Sequence, residues 1–158
     1  MTVSIKEKEF ENAIEKVLLD SGYIKRDSSS FDKKLFLDSE LFIQFLKDSQ
    51  PDVWKKLEED YDQEEILKKL TDKIEDTSMI NVIRNGFSID HIQIDCAFFK
   101  PPLANNPELE EQYQKNILSV TRQAVFDDKG HELDLLLCLN GLPVATAEIK
   151  KPFTGQNY

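Results

Sequence analysis

Apolar residues recur at helical spacing near the start of the chain. Phe10, Ala13, Ile14, Val17 and Leu18 fall three and four apart, behind a Ser4-x-x-Glu7 capping box and ahead of Gly22. The pattern predicts a helix from about Ile5 to Asp20, with Glu11 at the edge of the apolar stripe beside Leu18 and Glu15 further round. Ser28 to Ser30 form a polar loop, and residues 38–76 read as helical throughout. Asp38 or Ser39 caps a first helix containing Leu41, Phe42, Phe45 and Leu46, and Pro51 fits the first turn of a second. A third helix presents Ile66, Leu67, Leu70 and Ile74 on one face. After Gly86 the period drops to two: FSIDHIQIDCAFF predicts one or two strands, PELEEQYQKN a short helix, and ILSVTRQAVF a strand that turns at Asp127-Asp128-Lys129-Gly130. Two more apolar runs flank a turn in ELDLLLCLNGLPVATAEIKKP. This order predicts an α/β fold in one domain over residues 1–158, a mixed sheet flanked by helices with a helical insert at about 38–76.

Composition narrows the function classes. With 158 residues the chain can bury about two-thirds of its unfolded surface. A hydrophobic content of 40 % beside 32 % charged residues describes a globular chain rather than a disordered one. No apolar run approaches the ~20 residues that span a bilayer, and MTVSIKEKEF lacks the apolar segment of a signal peptide. A cytoplasmic protein with reduced thiols and no membrane contact is the expectation. Cys96 and Cys138 form no framework, and His91 and His131 lack zinc-ligand spacing. The formal net charge of −10 argues against a freestanding nucleic-acid binder, which normally carries a basic patch.

The last hairpin holds the candidate chemistry. Asp134, Glu148 and Lys150 stand where apolar residues would be expected, and burying an unpaired charge is costly. In a strand Glu148 and Lys150 point the same way. Whether Asp134 meets Glu148 depends on the turn. A two-residue Asn140-Gly141 turn pairs Leu139 with Leu142 and puts the carboxylates on opposite faces, whereas an odd loop sets Asp134 directly opposite Glu148. Pro143 cannot donate to a ladder beside the turn, so the odd loop is preferred. The two carboxylates would then lie about 5 Å apart at Cβ, a demand for a cation that oxygen ligands satisfy best with Mg²⁺ or Mn²⁺. Lys150 would orient a metal-activated water or stabilise developing charge, which fits phosphodiester hydrolysis. Spacing alone leaves open an ordinary edge ion pair with Asp134 facing solvent.

The run NILSVTRQAVF followed by ELDLLLCLNGLPVATAEIKKPFTGQ resembles the N-terminal nuclease region of the motor (R) subunit of type I restriction-modification enzymes. The likeness is strongest over residues 115–157 and looser over FENAIEKVLLDSGY. It implies a restriction-endonuclease-like core and ATP-dependent cleavage of double-stranded DNA within a complex of methylase, specificity and motor subunits. By the same resemblance Asp134 and Glu148 are the metal ligands, the backbone carbonyl of Ile149 a further one, Lys150 the third catalytic residue and Glu11 a candidate auxiliary acid. Lys151 stands where asparagine is common in that family. Family members continue into a helix with a Q-x-x-x-Y motif and ATP-binding motor domains, so the chain is expected to be a nuclease fragment for which ATP acts only through domains outside it. Gln156 and Tyr158 do not make up that motif. A catalytically silent docking domain of the same fold is the alternative.

Overall fold

The computed structural model describes residues 5–102 and 106–150. The Ser4 capping residue, Lys151 and the T-G-Q run lie outside them.

Helix α1 spans Ile5–Asp20. Gly22 ends it in the left-handed region at φ +95°, with Gly22 N–H donating to the Leu19 carbonyl and Tyr23 N–H to that of Leu18. Its packed face differs from the one the apolar spacing predicts. Glu11 and Glu15 are buried beside half-buried Ile14 and Leu18, while Phe10 and Val17 are exposed. The physical reason is a pair of cations brought from elsewhere in the chain, Lys25 and Arg122, which take up the two glutamates.

Strand β1 (Ile24–Arg26) and a 3-10 turn at Ser28–Ser30 follow. Then come α2 (Ser39–Ser49), α3 (Pro51–Asp60), α4 (Gln63–Asp76) and α5 (Met79–Asn85). Asp38 caps α2, accepting from Leu41 N–H, and Asp62 forms a complete capping box with Glu65 on α4. Strands β2 (Phe87–Ile89) and β3 (Ile92–Ile94) make a separate two-stranded sheet. Helix α6 (Pro107–Gln114) leads into β4 (Leu118–Val125), β5 (Glu132–Leu139) and β6 (Leu142–Ala147). The fold is mixed α/β. The main sheet has the order β1-β4-β5-β6, with β1 parallel to β4 and the other pairs antiparallel.

The inserted unit is larger than the three helices the sequence predicts. Helix α5 and the β2–β3 hairpin join it, because Val82, Phe87, Ile89 and Ile94 complete the same core as Phe42, Phe45, Leu46, Leu57, Ile66 and Leu70. Leu142, the first residue of β6, is buried in that core too. A smaller cluster of Phe31, Ala124, Leu136 and Cys138 packs on the sheet.

The insert grips the sheet at the Asn140-Gly141 turn. Gly141 accepts from Asp38 N–H at 2.8 Å, and a Cβ on Gly141 would meet the Asp38 carbonyl at 2.3 Å. Asn140 is fully buried, with its backbone N–H and both side-chain polar atoms engaged: its N–H and Oδ1 bond Ile117, while its amide nitrogen donates to the Cys96 carbonyl and Asn116 Oδ1.

Candidate active site

Strands β5 and β6 carry the candidate residues, and their register comes from a device the sequence reading did not choose. The turn is two residues long, with Asn140 at φ +53° and Gly141 at φ +81°, and it pairs Leu139 with Leu142. Cys138 then pairs with Pro143, but Leu137 pairs with Ala145, so Val144 is an extra residue and the ladder shifts by one. The odd loop is therefore corrected to an even turn followed by a bulge. Pro143 sits where its missing donor is tolerated, next to that bulge. The last pairs are Leu136↔Thr146 and Leu135↔Ala147, where the ladder ends, and Asp134 and Glu148 are the next residue of each chain.

Past Ala147 a side chain replaces the backbone ladder. Asp134 Oδ2 accepts from Ile149 N–H at 2.6 Å, tying the start of the Glu-x-Lys segment to β5. A hydrogen bond of this kind to a carboxylate contributes about 1.5–3 kcal/mol. Asp134 is half-buried, while Glu148 and Lys150 are exposed and lie 3.5 Å apart. An exposed pair of that kind is worth at most about 1 kcal/mol and does not lock either side chain.

Glu11 is not brought to this cluster. It is ion-paired with Arg122, which also donates to Asn12 at 2.6 Å and lies 3.9 Å from Glu15, itself bonded to Lys25 at 2.9 Å. Arg122 shares its row across the sheet with Leu135 and Ala147. That is the row next to Asp134 and Glu148, so alternation places the Glu11–Arg122 pair on the opposite face.

The donor set near the hairpin is all oxygen: the two carboxylates and the Ile149 carbonyl. Among the described residues no three His, Cys, Asp or Glu side chains gather in one place. Burial pushes the Cys138 thiol up to about 12, so this neighbour on β5 supplies no thiolate. Such a set fits a hard divalent cation that takes its remaining ligands from water or substrate.

Two features escaped the sequence reading. Arg122 has no signal in isolation, since its partners lie on α1. Gln123, next to it, holds φ +53° inside β4, and no residue pattern marks a left-handed glutamine. Among the described residues, no helix is long and apolar enough to cross a membrane.

A family model described as type I restriction enzyme R protein N terminus matches residues 4–158. Neither the curated proteins nor the solved structures gave a match. With the match running over nearly the whole chain, the protein belongs to the family of N-terminal regions of type I restriction enzyme R proteins.

Proposed function

We propose that this chain is a metal-dependent endonuclease domain that hydrolyses phosphodiester bonds of double-stranded DNA. It would act with methylase and specificity subunits, its DNA delivered by ATP-driven motor domains of the R subunit. One observation carries the reading: the Val144 bulge shifts the hairpin register so that Leu135 pairs with Ala147, Asp134 and Glu148 being the next residue of each chain, and Lys150 lies 3.5 Å from Glu148. Two carboxylates and an ammonium at one end of a hairpin suit attack on a polyanionic backbone.

Asp134 and Glu148 would hold Mg²⁺ or Mn²⁺, with the Ile149 carbonyl as a third ligand. When bound, the metal supplies charge for the phosphoryl oxygen and lowers the proton affinity of a ligated water. Asp134 keeps one oxygen for the site while the other, bonded to Ile149 N–H, fixes the carboxylate plane. Lys150 orients the attacking water and balances negative charge as it grows on the phosphate. Glu11 anchors α1 through Arg122, and an auxiliary acid role would require it to leave that partner.

A docking role for the same fold is favoured by one observation, the exposed apolar flank of α1 at Phe10 and Val17. Calorimetric titration with Mn²⁺ separates the two readings. The nuclease reading expects millimolar binding that Asp134→Ala removes, and identical titrations of parent and variant would sink it.

A further inference from the structure

The β4–β5 turn holds an imidazole that is fixed more firmly than an exposed turn needs. His131 Nδ1 lies 2.6 Å from Asp127 Oδ2, and Asp127 Oδ1 accepts from the backbone N–H groups of Lys129 and His131. The ring stacks on Phe126, with centroids 6.0 Å apart and planes 25° from parallel. Asp127 thus calls for a proton on Nδ1 and fixes the ring plane, although the His131 side chain is 63 % exposed. Nε2 has no partner among the described residues.

Packing relates this ring to the carboxylates. Phe126 packs against the cluster of Phe31, Ala124, Leu136 and Cys138. Leu136 and Cys138 alternate with Leu135 and Leu137 along β5, so they share their face with Asp134. His131 therefore stacks on a residue that covers the Asp134 face, three residues before Asp134, or about 10 Å at the rise of a strand. The charged groups around it are Asp127, Asp128, Lys129 and Glu132 of its own turn, with Lys33 and Lys34 of the loop packed on that turn. Two of these acids are already engaged, Asp127 by His131 and Asp128 by Lys33 at 2.8 Å.

We propose that His131 is a substrate-binding residue of the nuclease site, its Nε2–H donating to a non-bridging oxygen of a DNA phosphate flanking the one cleaved. The inference rests on the nuclease reading of Asp134 and Glu148. Phosphates of one strand follow each other at about 3.4 Å along the duplex axis, so about 10 Å is the reach of about three nucleotides. With Nδ1–H committed to Asp127, Nε2 carries a proton only in the imidazolium. The contact is thus made by a cation and is lost as the imidazole deprotonates.

The test uses the R subunit in its complex, as parent, His131→Ala, His131→Lys and Asp134→Ala. Affinity for a short duplex is read by anisotropy with Ca²⁺ replacing Mg²⁺, over a salt series at about pH 6 and about pH 8, either side of an ordinary imidazole. The parent should bind several-fold more tightly at the lower pH. His131→Ala should bind equally at both, about tenfold more weakly than the parent at the lower one. Its log affinity should also fall less steeply with log salt, by about 0.9, the share of one phosphate. His131→Lys loses the ring and its bond to Asp127 but keeps a cation, so it should hold the affinity at both pH values. Parental affinity, pH dependence and salt slope in His131→Ala, with Asp134→Ala inactive, would overturn the role of His131 and leave the site standing. A loss that His131→Lys shares in full would overturn it too, since the bond to Asp127 would then be structural. Parental cutting by Asp134→Ala would instead remove the nuclease reading on which the inference rests.

Discussion

Asn140 and Glu148 show how differently two polar residues of one hairpin can be used. Asn140 has no exposure and bonds Ile117, Cys96 and Asn116, so Asn140→Ala strands several buried polar groups at once and puts alanine at a positive φ. A loss of about 3 kcal/mol or more in denaturant unfolding is expected, and under 1 kcal/mol would contradict the role given to that network. Glu148 and Lys150 are exposed, so Glu148→Gln and Lys150→Ala should each change stability by less than about 1 kcal/mol while abolishing cleavage. A large loss of stability in either variant would mean the pair is structural. The chemistry-bearing residues were legible because charges stood out against apolar runs. The left-handed backbone of Gln123 was not, because it lies in an angle and not in a residue type.

Among the elements, α1 and the β5–β6 hairpin mark the boundary of what the sequence discloses. The limits of α1 follow from local signals, the 3.6 period and Gly22, and they are met at Ile5–Asp20. Its buried face does not, since Glu11 and Glu15 go inward only because Arg122 and Lys25 wait there. Arg122→Ala should therefore cost about 3–5 kcal/mol, as it leaves the buried Glu11 carboxylate unpaired, and a near-neutral result in thermal unfolding would contradict the network. In the hairpin the register of Leu135–Leu137 against Ala145–Ala147 was anticipated from the wrong cause, Pro143 being absorbed by a bulge rather than by a longer loop. Cross-strand cysteine pairs test that register directly. Asp134→Cys with Glu148→Cys should oxidise readily, while Asp134→Cys with Ala147→Cys should not, and the reverse outcome would move Glu148 to the other face. The β4–β5 turn gives a pH expectation. The hydrogen bond from His131, with backbone bonds from His131 and Lys129, holds the Asp127 carboxyl below its ordinary range. A depressed carboxyl stabilises the turn above its unfolded-state range and loses that contribution as the pH falls through the folded one. Protection of the Lys129 and His131 amides, measured against their intrinsic exchange rates, should fall on acidification, and unchanged protection would contradict the bond.

For the molecule as a whole, the insert and the sheet divide the work. The helical core grips the hairpin at its turn, through Gly141 and Leu142, and leaves Glu148 and Lys150 at the far end open to solvent. Three helices of that insert could be read from their periodicity. The recruitment of α5 and the β2–β3 hairpin into the same core could not, since it depends on contacts far apart in sequence. The charge of −10 sets a further condition, because non-specific affinity for DNA comes largely from cations that neutralise phosphates. The isolated chain should accordingly cut DNA poorly, and the R subunit within its complex should cut it well. The most direct measurement is plasmid cleavage with Mg²⁺ or Mn²⁺ by that complex, with and without Lys150→Ala, beside the isolated chain. The account predicts robust cutting by the parent complex, little by the isolated chain, and a loss of about 100-fold or more with Lys150→Ala at unchanged stability. Cutting by the complex that survives Lys150→Ala would contradict it.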